Sequence, residues 1–324
     1  MKRIFSIVLK ISLGLFFLIV LGTGFLAAWG AYRIAQHTRN PVVRTYSGKS
    51  SLQRRPIILV HGLNRSGRMW TAADDGHGNR IPGASSMVDF LRASGFPNLY
   101  VNTFPDTRST SLFQSAKLLK GWIGAARKRF NAGKVDIVAH SMGALVSRAY
   151  IQGLDKDDGD RVHPVDFGGD VSNLIMIAAP HLGSPLADSV PSFLDWYAQR
   201  TLSEGGGPDL RRLNLLPAPC GINYHSILIS SAPGKRRFRW SFWRLMRFFL
   251  ALRRPLDGDG TVSLQSQNME AALRMDHCRR RRLFSHLVKT APGIRHRDAS
   301  FSSDVQQIVL KILMGGSATE GSRS

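Results

Sequence analysis

The chain has 324 residues, of which 43% are hydrophobic, so it can form a buried core and is neither a disordered nor a collagen-like chain. Its 44 Lys and Arg residues against 22 Asp and Glu residues give a formal net charge of +22. Such a charge attracts a protein to phosphate-bearing surfaces such as nucleic acid or anionic lipid. The two cysteines, Cys220 and Cys278, are too few for a disulfide scaffold and lack metal-ligand spacing. They form either one bridge or two unpaired thiols.

An uncharged apolar segment, residues 11–32, follows a basic leader over residues 1–10. At about 1.5 Å per residue a helix of this length spans roughly 33 Å, enough to cross the hydrocarbon core of a bilayer. Cleavable signal peptides have a shorter apolar region. The sequence therefore predicts a single-pass transmembrane signal anchor, with the body of the protein on the exported side (the periplasm, if the protein is bacterial). A secreted form is the alternative. Export makes nucleic acid an unsuitable partner.

A basic, turn-rich stretch over residues 33–54 is predicted to be a stalk. Beyond it, apolar runs typical of buried strands alternate with helical patterns. The runs cover residues 56–60, 99–104, 135–139, 174–178, 224–230 and 283–290, and the helical patterns cover residues 85–93, 111–130, 144–152, 264–274 and 303–313. This alternation predicts a mostly parallel sheet with helices on both faces. We expect one α/β domain over residues 55–314, with insertions at 181–220 and 232–256 and a frayed tail at 315–324.

A motif typical of a nucleophilic serine follows the third predicted strand. The sequence Ala139-His140-Ser141-Met142-Gly143 lies between a buried strand and a helix, which is the context of a nucleophile elbow with alanine in place of the first glycine. The tight turn exposes the Ser141 hydroxyl above the sheet. It also leaves the N–H of Met142 at a helix N-terminus, where it can stabilise an oxyanion.

A second motif, His61-Gly62-Leu63, ends the first predicted strand. In this position the backbone turns toward the carboxyl edge of the sheet, so the N–H of Leu63 is a candidate second oxyanion donor. Loss of one such donor typically costs on the order of 10²–10³ in rate. We therefore predict Leu63 and Met142 as the oxyanion-hole residues.

Candidates for an acid and a base follow the serine in the order that this elbow requires. A DGDGTV turn presents two aspartates, of which Asp259 is favoured because it precedes an apolar helix start, and Asp257 is the alternative. His296 is the favoured base, since it lies between the last predicted strand and the last predicted helix. His286, within that strand, and His277, among arginines, are the alternatives.

Residues 235–254 read KRRFRWSFWRLMRFFLALRR and combine arginines with aromatic residues. On a helix they form an apolar stripe with arginines opposite and Trp240 and Trp243 nearby, and the members of the stripe are Phe238, Phe242, Leu245, Phe249 and Leu252. This pattern is typical of a helix that lies in a membrane interface. It predicts a docking element for an anionic membrane surface, with a cap helix packed on the domain as the alternative.

Taken together, these motifs resemble the α/β-hydrolase superfamily, specifically its lipase/esterase branch. That branch includes bacterial triacylglycerol lipases, lecithin–cholesterol acyltransferases and GPI-inositol deacylase-like proteins. The matching pieces, in the family order, are HGLN at 61–64, AHSMG at 139–143, AAPHLGSPLAD at 178–188, DGDGTV at 257–262 and PGIRH at 292–296.

The resemblance implies an α/β-hydrolase fold with cap insertions and a triad of Ser141, Asp259 and His296. It implies hydrolysis of carboxylic esters, with lipid acyl esters at a membrane surface as the expected substrate, through an acyl-enzyme and without a metal or organic cofactor. An acyltransferase or thioesterase with the same triad, and a catalytically silent membrane-binding protein of this fold, are the alternatives. The sequence leaves the oligomeric state open.

Overall fold

The computed structural model describes residues 44–48, 54–74, 81–107, 110–157, 162–164, 167–185, 187, 201–202, 206–231, 258–272, 283–290, 294 and 296–315. The chain divides into two units, Met1–Pro41 and Val42–Ser324, and every described residue belongs to the second. The predicted anchor at 11–32, the insertion at 232–256, Asp257 and His277 lie outside the described residues. Among the residues that are described, no helix is long and apolar enough to cross a membrane.

A seven-stranded sheet forms the centre of the second unit. Its strands are β1 (Arg44–Tyr46), β2 (Ile57–Val60), β3 (Leu99–Val101), β4 (Val135–His140), β7 (Val171–Ile177), β8 (Asn223–Ser231) and β9 (Leu283–Thr290), while β5 (Asp155–Asp157) and β6 (Val162–Pro164) form a separate pair. The order across the sheet is β1-β3-β2-β4-β7-β8-β9. β1 is antiparallel to β3, and the other neighbours are parallel. The predicted mostly parallel sheet is confirmed.

Helices cover both faces of the sheet. In chain order they are α1 (Arg68–Thr71), α2 (Met87–Ala93), α3 (Leu112–Phe130), α4 (Met142–Ile151), α5 (Pro208–Leu215), α6 (Leu264–Gln267), α7 (Met269–Ala272) and α8 (Ser303–Leu313), with a 3-10 helix at His296–Phe301. Side chains alternate between the faces along each strand. Ile58 and Val60 therefore pack in one core with α3 and α4, and Ile57 and Leu59 pack in a second core with α2 and α8.

One predicted strand is shorter than its apolar run, and one predicted helix is interrupted. The run over 99–104 forms a strand only to Val101, because side chains rather than a neighbouring strand take up the next backbone N–H groups. The Asn102 side chain accepts from the N–H of Thr103 at 2.7 Å, and a ring nitrogen of His61 accepts from that of Phe104 at 2.8 Å. The predicted helix over 264–274 is interrupted at Asn268, whose backbone is extended.

Several features of the described chain were not predicted or were left open by the sequence, among them the hairpin of β5 and β6. Residues Arg44–Tyr46, within the predicted stalk at 33–54, form the edge strand β1, so the sheet begins before residue 55. Helix α5 lies within the predicted insertion at 181–220 and starts with a proline in its first turn. Cys220, just before β8, is disulfide-bonded, which is the bridged one of the two states that the sequence left open.

Candidate active site

The carboxyl ends of the parallel strands lie at one edge of the sheet, which is where α/β folds place their sites. His61 directly follows β2 and Ser141 directly follows β4. The turn that carries Asp259 comes after β8 in the chain, and His296 comes after β9. Because these strands are parallel, the four residues lie at the same carboxyl edge of the sheet although they are far apart in the sequence.

Ser141 lies in a strained turn between β4 and α4. Its backbone has φ 54° and ψ −129°, a conformation that costs a non-glycine residue on the order of 1–3 kcal/mol. The N–H of Ser141 donates to the carbonyl of Ile177 on β7 at 2.9 Å, which ties the turn to the sheet. The strain is maintained by this attachment and by the packing of α4, and it raises the hydroxyl above the strand ends.

Two glycines make this turn possible because the chain approaches itself closely. A Cβ atom on Gly143 would lie 2.4 Å from the carbonyl oxygen of His61 and 2.8 Å from that of Val60. A Cβ atom on Gly62 would lie 2.8 Å from the Cβ of Ser141. Glycine at both positions therefore allows the end of β2 to pack directly against the start of α4.

The structure brings the three predicted residues of the triad into one hydrogen-bonded chain. His296 Nε2 lies 2.8 Å from Ser141 Oγ, and His296 Nδ1 lies 2.5 Å from Asp259 Oδ2. The side chain of Asp259 is fully buried, whereas that of His296 keeps 14% of its surface exposed. In this arrangement Nδ1–H donates to the carboxylate and Nε2 accepts from the serine hydroxyl, so the imidazole is poised to take the serine proton.

The acid is oriented by its own turn. Asp259 Oδ1 accepts from the N–H groups of Thr261 at 2.9 Å and Val262 at 2.8 Å, which leaves Oδ2 for the histidine. Gly258 is required for the tightness of this turn, since a Cβ atom there would overlap the carbonyl oxygen of Val262 at 1.8 Å. The carboxylate is thus bonded on both oxygens although it is buried, as a buried charge must be.

His286, the second candidate for the base, lies on β9, and its Nε2 contacts His225 Nδ1 on β8 at 3.2 Å. Burial lowers the pKa of both rings, that of His225 to about 4. In the described part of the chain, His296 alone hydrogen-bonds with the hydroxyl of Ser141. The geometry thus favours His296 over His286. Asp257 and His277 lie outside the residues that the structure describes.

The predicted oxyanion donors lie beside Ser141, one at the start of α4 and the other just after the end of β2. Met142 is the first residue of α4 and is buried, so its N–H belongs to the unpaired first turn of a helix. Leu63 follows the His61-Gly62 turn and packs partly buried against the core. Among the described residues, neither backbone N–H donates a hydrogen bond. Both are therefore available to a substrate oxygen.

Two buried histidines near the site were not assigned a role from the sequence. His61 accepts from the N–H of Phe104 at one ring nitrogen and donates to the carbonyl of Gly62 at the other. Burial lowers its pKa to about 4, which keeps it neutral. His140 Nε2 lies 2.8 Å from the carbonyl oxygen of His296, and burial lowers its pKa well below the usual value. His140 therefore holds the backbone of the candidate base. Their positions next to the two glycine motifs are the only sequence signal for them.

A buried arginine links the nucleophile helix to the segment that follows β7. Arg148 on α4 is fully buried, and its guanidinium donates to His181 Nδ1 at 2.9 Å and to Gln152 Oε1 at 2.8 Å. No carboxylate contacts it in the described part of the chain, and burial lowers its pKa to about 9. Because His181 accepts this bond while neutral, the pair joins α4 to the loop over residues 180–184 without an ion pair.

Comparisons with known proteins agree with this architecture. Residues 54–201 match the family model of class 2 lipases, and a comparison with curated protein sequences gives no significant match. Among solved structures, the mature form of the Bacillus licheniformis lipase BlEst2 is 15% identical, covering 85% of this chain and 99% of that chain with a TM-score of 0.51. EstA from Clostridium botulinum is 15% identical, covering 87% and 90% with a TM-score of 0.52. Lipase 1 from Pelosinus fermentans is 16% identical, covering 83% and 100% with a TM-score of 0.52.

At these identities the solved structures show the fold alone, and the class 2 lipase model matches residues 54–201. The predicted resemblance to the lipase/esterase branch of the α/β hydrolases is confirmed. The predicted enzyme class, a carboxylic ester hydrolase, is confirmed with it.

Proposed function

We propose that this α/β hydrolase is a serine esterase that cleaves lipid acyl esters at a membrane surface through an acyl-enzyme. The observation that carries the proposal is the hydrogen-bonded chain from Ser141 through His296 to Asp259. It lies at the carboxyl edge of the sheet beside two backbone N–H groups that have no partner among the described residues. The match to class 2 lipases over residues 54–201 supports an ester as the substrate.

The first half of the reaction forms the acyl-enzyme. His296 Nε2 takes the proton of the Ser141 hydroxyl while the oxygen attacks the ester carbonyl carbon. Asp259 accepts from Nδ1–H, which fixes the imidazole tautomer and stabilises the imidazolium that forms. The N–H groups of Leu63 and Met142 stabilise the negative charge on the carbonyl oxygen. The imidazolium then gives its proton to the departing alcohol oxygen as the ester bond breaks.

The second half of the reaction releases the acid. His296, again neutral, takes a proton from a water molecule, and the water oxygen attacks the acyl carbon bound to Ser141. The same two N–H groups stabilise the second oxyanion. Collapse of this intermediate breaks the bond to Ser141 Oγ, which recovers its proton from the imidazolium. These steps use the side chains of the triad, two backbone N–H groups and water.

The proposed location is the exported face of a membrane. Residues 11–32 have the length and apolarity of a membrane-spanning anchor, and the net charge of +22 favours an anionic lipid surface. The disulfide at Cys220 supports an oxidising compartment, where such bonds persist. The basic aromatic segment over residues 235–254 is the proposed docking element.

The test is hydrolysis of p-nitrophenyl esters from acetate to palmitate, with and without anionic liposomes, by the wild type and by Ser141→Ala. The proposal expects activity that depends on the serine and that rises with chain length and with liposomes. Activity limited to soluble short esters would leave an esterase without a lipid-surface substrate. Labelling of Ser141 by a fluorophosphonate without hydrolysis would favour transfer to another acceptor, and the absence of both would indicate a silent protein.

The docking element has its own test. Replacing Phe242 and Phe249 with serine should weaken co-sedimentation with anionic liposomes while leaving the turnover of a soluble short ester unchanged. The matched control is the replacement with serine of two leucines outside the segment, Leu118 and Leu215, which are exposed. Liposome binding that is unaffected by the phenylalanine substitutions would assign the segment to the cap of the domain instead.

A further inference from the structure

The Oδ1 oxygen of Asp259 is held by backbone N–H groups, one of which is that of Val262. The N–H of Val262 donates to Asp259 Oδ1 at 2.8 Å, and this N–H belongs to the same planar peptide unit as the carbonyl of Thr261. Because the peptide bond is rigid and planar, the direction of that N–H is fixed by whatever holds the carbonyl oxygen at the other end. Of the two N–H groups that orient Oδ1, that of Val262 therefore depends on the partner of the Thr261 carbonyl, whereas that of Thr261, at 2.9 Å, belongs to the preceding peptide unit.

That partner is Ser184. Its hydroxyl donates to the carbonyl oxygen of Thr261 at 2.5 Å, and the residue is only 6% exposed, so water competes little for this bond. The backbone N–H of Ser184 donates to the carbonyl of Leu202 at 2.7 Å, which fixes the residue that carries the hydroxyl. Hydrogen bonds at the two ends of one amide strengthen each other by polarising it.

The loop that carries Ser184 is joined to the acid-bearing segment by separate bonds. Ser266 Oγ donates to the carbonyl of Gly183 at 2.7 Å and accepts from the N–H of Leu182 at 3.0 Å. The N–H of His181 donates to the carbonyl of Ser266 at 2.8 Å. Ser266 thus holds the two segments together but has no bond to the 261–262 peptide, which makes it a matched control for Ser184.

We propose that Ser184 is a positioning residue of the active site, which acts through the 261–262 peptide to keep the Asp259 carboxylate directed at His296. This inference rests on the proposed function, because the orientation of the acid matters only if His296 acts as the base. It gives the HLGS sequence at 181–184 an indirect role in catalysis, which needs no contact with the substrate. A purely structural role for Ser184 is the competing explanation.

The test compares Ser184→Ala with Ser266→Ala on p-nitrophenyl butyrate, in the wild-type background and with Asp259→Asn. Loss of one hydrogen bond of this kind predicts a fall in kcat of about tenfold for Ser184→Ala, with KM unchanged. Ser266→Ala should keep kcat within about twofold. In the Asp259→Asn background Ser184→Ala should have little further effect, because the two residues act through the same contact.

Equal losses of kcat for Ser184→Ala in both backgrounds, or equal losses for the two serine variants, would overturn the proposal in favour of a structural role. Should Ser184→Ala not fold, Ser184→Cys retains the volume with a weak donor and should show a comparable loss of kcat. A readout that is independent of activity is the low-field proton resonance of His296 Nδ1–H. It should change in Ser184→Ala and not in Ser266→Ala, even if the wild type hydrolyses no ester.

Discussion

The packing of β2 against α4 predicts a large effect for a single methyl group at Gly143. In Gly143→Ala the new Cβ would lie 2.4 Å from the carbonyl oxygen of His61, whereas ordinary contact begins near 3.4 Å. The end of β2 and the start of α4 must therefore separate by about 1 Å. A displacement of this size between reacting groups can cost about 10²-fold in rate. Overpacking of this kind also destabilises by roughly 1–3 kcal/mol.

The assay is kcat for a soluble p-nitrophenyl ester together with the free energy of unfolding in urea. Gly124→Ala on α3 is the matched control, because it is also a helical glycine but a Cβ there meets nothing within 4 Å. That variant should retain kcat and gain roughly 0.4–1 kcal/mol in stability. If Gly143→Ala kept the kcat of the wild type, the close approach would not be what aligns the serine with the oxyanion donors.

Three further predictions concern the histidines and the acid. His296→Ala should lower kcat on the order of 10⁴–10⁶-fold and His286→Ala by less than about tenfold; the reverse order would transfer the role of base to His286. Asp259→Asn should fold normally yet lose about 10³–10⁴-fold in kcat, and a loss below about tenfold would exclude it as the acid. Because the pKa of His61 falls from 6.5 in the unfolded chain to about 4 in the fold, the unfolded state binds more protons between these values. His61 alone should therefore lower the free energy of unfolding by about 2 kcal/mol from pH 7 to pH 5, and His140 and His225, whose pKa values burial also lowers, should add to this loss; urea titrations that agree at both pH values would contradict this.

The sequence predicts best those strands and helices whose residues are buried along the whole length of the element, because their apolar pattern is then unbroken. The strand Ile57–Val60 is buried along its whole length, so its apolar run marks it within one residue. Strand β1 was missed because it is exposed at the sheet edge, where backbone hydrogen bonds to β3 replace any apolar pattern. The hairpin of β5 and β6 was missed for a related reason, since strands of three residues are too short to show a period.

Some residues of the site can be predicted from local sequence motifs, whereas others depend on contacts with distant parts of the chain. Ser141 and Asp259 each lie in a short motif whose turn requires glycine, so the sequence indicates both residues directly. His296 was favoured over His286 by its place between elements, not by a motif. The roles of His140 and Ser184 depend on contacts with residues 156 and 77 positions away in the chain. No local pattern predicts such contacts.

The nucleophile and the base are carried by parts of the sheet that differ in how easily they open. Ser141 follows β4 in the middle of the sheet, whereas His296 comes after β9, the last strand in the order. Edge elements open at a lower free energy than central ones. Two contacts hold the base independently of β9: His140 Nε2, at the end of β4, lies 2.8 Å from the carbonyl oxygen of His296, and the Ser300 hydroxyl donates to the carbonyl of Met69 at 3.2 Å. The imidazole should therefore stay in place if β9 detaches on warming, and activity should be lost together with the domain rather than with one strand.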